Sequence, residues 1–436
     1  AVVPNTSLLF PCASTLAGRD FRHMFKRAVA QGMELRRVNN IAHQVSGASK
    51  PSGTVFGVRA PLRAMATQSG EASLVQLETS ADKVAKLTLR RPKKLNSLSL
   101  PMIRELRLRY GEIRDAGSRC VLLGGEGRAL CAGGDVAEVR EGVLEGNRVP
   151  VDFFYEEYVL DYEIATMQQR EGIVQVALWD GIVMGGGVGL SAHSPFIIAT
   201  EKTMFAMPET LIGLFPDVGM TWKLSRLPAG AHVGVYLGLT GHRLGAADCL
   251  AAGLATHYCP SERLPRVEEL LRGLGERAGD MEAISGAITE AAGGAVPDSA
   301  KAVLAPNLAA IERCFASATA EEIVARLESE ASDFARETLA ALRQRSPTSV
   351  KVTLEAISRH KGATLEEAFV AEYRMSQWCC RPQPMADLCE GIRAVLVDKD
   401  NEPKWDPARL EDVSRERVEG FFAPLAPDHA LGELKL

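Results

Sequence analysis

Two carboxylates in the run MPETLIGLFPDVG, Glu209 and Asp217, sit among Met, Leu, Ile and Phe side chains. An unpaired carboxylate in such surroundings is costly. Its pKa rises, and acids tuned this way serve as bases or nucleophiles. The same residues admit a plainer account, in which Pro208 opens a one-turn helix containing Glu209 and Asp217 caps the helix that follows. A third acid is marked by spacing. In VDFFYEEYVLDYEIATM, helical periodicity puts Phe153, Leu160 and Ile164 on one stripe, and Glu157 falls on that stripe. Glu156 falls on a wetter face beside Asp152 and Glu163. Glu157 is therefore either a pocket carboxylate or one half of a buried ion pair.

Two glycine-rich corners can supply the complementary groups. Gly185-Gly186-Gly187-Val188-Gly189 follows an apolar strand and precedes a helical stretch. Glycines there let a ligand approach the backbone, and free N–H groups at a helix start can hold a negative oxygen. ALCAGGD, Ala129 to Asp135, is a second such corner. One N–H from each would stabilise a carbonyl turning into an oxyanion. Each corner taken singly is equally well read as a tight turn, and neither fits the dinucleotide pattern GxGxxG. Other chemistries lack their residues. There is no GxSxG elbow, His193 and His257 lack an obvious nucleophile nearby, and HExxH spacing is absent.

The elements that must position these groups follow from periodicity. LVQLETS and KVAKLTLRR alternate around a polar turn as a β-hairpin that Pro92 ends. Ser99-Leu100-Pro101 opens a helix toward Arg114. CVLLGG, IVQVALWDG, FIIAT and MFA are short strands, and their alternation with helices predicts layered β-β-α or β-α units. Gly275 to Val296, rich in Ala and Gly, reads as a loosely specified connection. AEEIVARLESEASDFARETLAALRQ and TLEEAFVAEYRMSQW both carry helical spacing, so the chain beyond Asp298 is expected to be helical. The predicted organisation is a leader over 1–70, a catalytic core over 71–297 and a helical region over 298–436.

The leader is set apart by charge, with nine Lys or Arg against two acids, Asp20 and Glu34, up to Gly70. Arg-rich, acid-poor segments of this kind are organelle transit peptides, although a basic arm for an anionic partner has similar composition. The net charge of −5 gives no reason to expect nucleic acid as a partner. Nine dispersed cysteines without CxxC pairs indicate reduced thiols and no zinc site, and no metal is expected. No apolar run approaches the ~20 residues of a membrane span, so none is expected.

Taken together, LTLRRPKKLNSLS, ALCAGGD, FFYEEYVL, MGGGVGLSAH, ATEKTMFAMPETLIGLFPDVG, LTGHRLGAADCLAAGLATH, SPTSVKVTL, AEYRMSQ and EGIRAVLVDKDNEPKWDP resemble the crotonase superfamily. Within it the match is to the 3-hydroxyisobutyryl-CoA hydrolase branch. The resemblance runs from about Leu74 to Phe422. Glycine corners are general to acyl-CoA enzymes of this kind. The FAMPET…FPDVG run and the RAVLVDKD…PKW tail are specific to the branch.

The resemblance implies an α/β fold, a crotonase-like stack of β-β-α units with a helical C-terminal region. It implies hydrolysis of an acyl-CoA thioester, with coenzyme A as part of the substrate and no separate cofactor, in valine catabolism in the mitochondrial matrix. Glu209 and Asp217 match the acidic pair and Glu157 a substrate-contacting carboxylate, while the N–H groups of Ala132 and Gly186 match the oxyanion hole. Hydratases of the superfamily use two glutamates around one water, and Gly189 stands at the second of those positions. Glu209 then attacks the thioester itself or deprotonates water. Alternatives are a hydratase or isomerase on another acyl-CoA, disfavoured by Gly189, and a non-catalytic binding relative, disfavoured by the retained acids. Departures from the branch are Asp180 before Gly181, Met220 after FPDVG, and PMADLCEG before GIRAVL. The acyl group, the assembly state (a homo-oligomer included) and the end of the leader are left open.

Overall fold

The computed structural model describes residues 73–381 and 387–436. The leader, its end at residue 70, and Pro384–Ala386 of the PMADLCEG departure lie outside the described residues. The hairpin is β1 (Val75–Glu78) and β2 (Val84–Leu89), paired antiparallel with Leu77 opposite Leu87. It is followed by β3 (Cys120–Gly125), β4 (Ala129–Cys131), β5 (Val174–Trp179), β6 (Ile182–Met184), β7 (Phe196–Ala199), β8 (Met204–Ala206) and β9 (His257–Tyr258). The larger sheet runs β1-β2-β3-β5-β7-β9 and the smaller one β4-β6-β8, all parallel after the hairpin. Successive strand pairs thus split between the sheets, β3, β5 and β7 entering the large one and β4, β6 and β8 the small one. This is the stack of β-β-α units expected from the sequence.

Both faces of the large sheet are buried, so its strands are apolar almost throughout. Val84, Cys120, Leu122, Val174, Val176 and Ile198 point to one face, where they join Val267, Leu271, Ile284 and Ile288 in a core of their own. Ala85, Leu87, Val121, Leu123, Ala177, Ile197 and Ala199 point to the other, toward the main core. The stretch Gly275–Val296 is more ordered than its composition suggests. Asp280 accepts from the N–H groups of Glu282 and Ala283 and starts a helix, Met281–Ala292. Ile284, Ala287, Ile288 and Ala291, spaced three and four apart, pack that helix against the sheet. Ala and Gly hid an amphipathic stripe whose small side chains allow close approach.

Beyond 298 helices run from Leu304–Phe315 through Ala320–Ser329, Asp333–Leu342, Pro347–His360 and Leu365–Cys379. Side-chain caps fix their starts at Thr319, Ser332, Ser346 and Thr364, the last with a full capping box to Glu367. Ser332 is also why the long helical run after Ala320 is broken in two. These helices enter the same main core as the strands, and Ser73–Leu436 is one compact unit. Among the described residues no helix is long and apolar enough to cross a membrane.

Candidate active site

The helix Val149–Glu171 lays a stripe of Phe153, Glu157, Leu160 and Ile164 against the core, as its spacing required. Glu156, one residue away, faces water and pairs with Arg104 at 2.7 Å. Among the described residues Glu157 has no such cation, and its Oε1 is buried without a hydrogen-bond partner. One turn on, Asp161 is fully buried, and neither of its oxygens has a partner among the described residues. Sequence reasoning missed Asp161, although its place four residues after Glu157 put it on the same stripe.

These two acids face the first glycine corner. Gly185 takes a positive φ of 47°, and Gly186–Gly189 forms a single helical turn. A Cβ on Gly186 would collide with Glu157 Oε1, and one on Gly189 with Asp161 Oδ2. A bare face of the short turn, Gly186 and Gly189, thus admits two carboxyl groups from the long helix. Glycine at 185 is needed for both its backbone and its neighbour, since a Cβ there would stand 3.0 Å from Glu209 Oε1.

The corner's first N–H groups are unused. Val188 and Gly189 donate back to the Gly185 carbonyl, at 2.7 and 3.2 Å, whereas the N–H of Gly186 has no acceptor among the described residues. The second corner touches the first, because a Cβ on Gly133 would lie 3.8 Å from the Gly186 nitrogen. Here the expected donor is corrected. The N–H of Ala132 donates to Leu95 O at 3.0 Å and is not available to a ligand. The Gly133 carbonyl accepts from Leu98 N at 2.8 Å. Across that trans peptide the N–H of Gly134 must point the opposite way, and it has no acceptor among the described residues. The corner therefore offers Gly134, two residues beyond the position that motif matching suggested.

Glu209 opens a 3-10 turn, Glu209–Ile212, and is 5% exposed, with Oε2 buried and partnerless. It caps nothing. Asp217 caps nothing either, for Met220 N bonds to its backbone carbonyl and its side chain accepts from the Tyr158 hydroxyl at 2.7 Å. Burial, followed by the charge of Asp217, pushes Glu209 and Glu157 well above the usual carboxylate range. Asp161 is driven the same way by burial and then by Glu157. Asp217 is raised only to about 6, burial being offset by the Tyr158 hydrogen bond. Asp217 is thus the acid that ionises readily, and its charge makes Glu209 more basic.

The turn carrying Asp217 is strained. Val218 has φ 56°, a left-handed conformation that a β-branched residue reaches only at a cost of about 1–3 kcal/mol. Its carbonyl receives the His193 Nε2–H at 3.1 Å. His193 stays neutral, its pKa pushed down to about 3 by burial and Lys223. From the helix Leu365–Cys379, Glu372 accepts from Gly219 N at 2.6 Å, from Thr221 N at 3.2 Å and from the Thr221 hydroxyl. His360 Nδ1 in turn donates to that hydroxyl at 2.7 Å. Neither Glu372 nor Tyr158 was singled out from the sequence. Tyr158 was hidden as one aromatic among several, and Glu372 as one acid among many in a helix rich in them.

Asp180 lies apart from this cluster. It accepts from Thr200 and Ser261 hydroxyls at 2.9 and 3.0 Å and ties loops at the end of β5. Met220, the other departure, is fully buried at the start of the helix Met220–Leu224. Among the described residues no group of three His, Cys, Asp or Glu side chains is placed to hold a metal ion.

A family model described as enoyl-CoA hydratase/isomerase matches residues 84–422. "3-Hydroxyisobutyryl-CoA hydrolase 1" of Arabidopsis thaliana is 43% identical over 365 residues, covering 82% of this chain and 93% of that protein. The human "3-hydroxyisobutyryl-CoA hydrolase, mitochondrial" is 41% identical over 342 residues, 78% of this chain and 86% of that one. Among solved structures, a carnitinyl-CoA dehydratase from Mycobacterium thermoresistibile matches with TM-score 0.72 and 35% identity, covering 84% of this chain and 99% of that one. An enoyl-CoA hydratase from Rhodobacter sphaeroides 2.4.1 matches with TM-score 0.69 and 37% identity, over 84% and 100% of the two chains. With partnerless carboxyls beside two glycine corners, and with relatives this similar over most of its length, the chain belongs to the enoyl-CoA hydratase/isomerase family, in its 3-hydroxyisobutyryl-CoA hydrolase branch.

Proposed function

We propose that this protein hydrolyses 3-hydroxyisobutyryl-CoA to 3-hydroxyisobutyrate and coenzyme A, with Glu209 as the reacting carboxylate. The observation that carries the assignment of Glu209 is its buried carboxyl at the meeting point of the two glycine corners, with Oε1 facing Gly185 and Oε2 without a hydrogen-bond partner among the described residues. A thioester carbonyl seated between the N–H groups of Gly134 and Gly186 gains negative charge as its carbon is attacked, and those donors receive it. Glu209 either adds to that carbon, breaking the C–S bond to leave an anhydride that water then opens, or takes a proton from an attacking water. Both routes benefit from a carboxylate whose basicity is raised by burial and by Asp217. Glu157 lies close to Gly186, and burial holds its carboxyl well above the usual range, so in its protonated form it can donate a hydrogen bond to the acyl group. No cofactor is required for either route, since coenzyme A arrives with the substrate. The mitochondrial location rests on the basic leader and on relatives whose names carry that word. Fractionation of cells expressing the full chain tests it, and a purely cytosolic signal would refute it.

Specificity is expected to depend on the acyl hydroxyl. A buried acid that is meant for a hydroxyl stays unpaired when the substrate lacks one. Free-thiol release from a panel of acyl-CoAs should be much faster for 3-hydroxyisobutyryl-CoA, with 3-hydroxypropionyl-CoA next, than for isobutyryl-CoA. Equal rates on all three point to a general thioesterase. Hydration of an enoyl-CoA without thiol release would favour the activity for which the structurally similar Rhodobacter enzyme is named.

A further inference from the structure

We propose that Glu372 is a positioning residue for Asp217, holding the strained turn at Val218 and Gly219 from the C-terminal helical region. The inference rests on the reading that Glu209 and Asp217 carry the reaction. Asp217 is joined directly to Val218, whose left-handed backbone is foreign to a β-branched side chain. Such a conformation persists only where the surroundings over-determine it. Two groups do so here. His193 holds the Val218 carbonyl, and Glu372 gathers the N–H groups of Gly219 and Thr221 together with the Thr221 hydroxyl.

The residue type at 372 is otherwise unexplained. Its side chain is fully buried, and among the described residues no cation pairs with it. Packing alone would be served better by an apolar residue. Three converging donors explain an acid here, because its two oxygens can accept from all of them, and those bonds work against the burial that raises its pKa to about 8. Glutamine offers one such oxygen and turns an N–H toward a backbone N–H. Without the carboxylate, the turn is free to relax to negative φ. That rotation would swing Asp217 away from the Tyr158 hydroxyl, which it meets at 2.7 Å.

The test compares kcat, KM and thermal midpoint for Glu372→Gln, Val218→Gly and the double variant, with 3-hydroxyisobutyryl-CoA as substrate. Glu372→Gln should lose about 10-fold or more in kcat, the scale of a small misplacement of a catalytic group, with KM little changed. Glycine takes the left-handed conformation without restraint, so adding Val218→Gly should restore much of that lost kcat. A purely structural role predicts lowered thermal midpoints in both and no recovery of kcat. Losses that multiply in the double variant, or a Glu372→Gln enzyme with wild-type kcat, would overturn the proposal. Should Glu372→Gln not fold, Thr221→Val removes one donor and leaves the carboxylate in place. It should lower kcat several-fold, again with Val218→Gly recovering it, and an unchanged kcat there counts equally against the proposal. Failure of the underlying reading shows elsewhere, as a Glu209→Gln enzyme that remains active.

Discussion

Glu209→Gln is expected to lower kcat for 3-hydroxyisobutyryl-CoA by at least about 10²-fold with KM little changed. Glutamine keeps the size of the side chain and one acceptor oxygen, so the packing around the Glu209–Ile212 turn is preserved. What it removes is the lone pair that attacks carbon or takes a proton. The fold should tolerate the change well, because a buried acid without a partner is replaced by a neutral group. Stopped assays of thiol release on the purified variant give the answer, and near-normal kcat would move the chemistry to Glu157. The pH profile carries a second signature. Glu209 must lose its proton to react, and burial and the Asp217 charge hold its pKa well above the usual carboxylate range, so the rate should fall as pH drops, with an acidic limb above that range. The Tyr158 hydroxyl disperses part of the Asp217 charge that faces Glu209, so Tyr158→Phe should move that limb to higher pH.

Gly186→Ala should be comparably severe for a different reason. The new methyl would fall on Glu157 Oε1 and stand 3.1 Å from Leu98 Cδ1. Leu98 is fully buried, and the Glu157 carboxyl can turn aside only within a closed core, so part of the strain falls on the glycine turn. The Gly186 N–H is displaced from its seat, and losing one oxyanion donor costs about 10² to 10³ in kcat. Overpacking should also lower stability by about 1–3 kcal/mol. Gly111→Ala is the matched control. Its Cβ would meet nothing within 4 Å, in the middle of the helix Leu100–Asp115, and should leave activity alone while stabilising by about 0.4–1 kcal/mol. Equal kcat/KM for the two variants would show that the glycine turn is not where the carbonyl binds.

How much of this was legible in the residues depended on whether the signal was local. The strands β3, β5 and β7 were visible because each buries both faces and reads as an apolar run, and β2 because its residues alternate. The inward position of Glu157 followed from helical spacing alone. Asp161 was legible by the same rule and was overlooked because it lies beside a more familiar motif. The oxyanion donor was misplaced from Gly134 to Ala132 because an N–H that looks free in a motif can be taken by a strand-like contact far away, in this case Leu95. Spacing cannot show that. The interior role of Glu372 was not legible either, since its partners Gly219 and Thr221 lie 153 and 151 residues earlier in the chain. Helix Met281–Ala292 was obscured by alanines and glycines that carry weak periodicity but pack closely.

That separation also sets an order of events during synthesis. Both glycine corners, Glu209 and Asp217 emerge from the ribosome well before the helix that contains Glu372 exists. With 153 residues from Gly219 to Glu372, elongation at about 5–20 residues per second leaves an interval of roughly 8–30 s. Throughout it the nascent chain carries its reactive carboxyl groups on a turn that has His193 but not yet its second anchor. The active-site turn of the hydrolase therefore receives its second anchor late, from a helix made long after the turn itself.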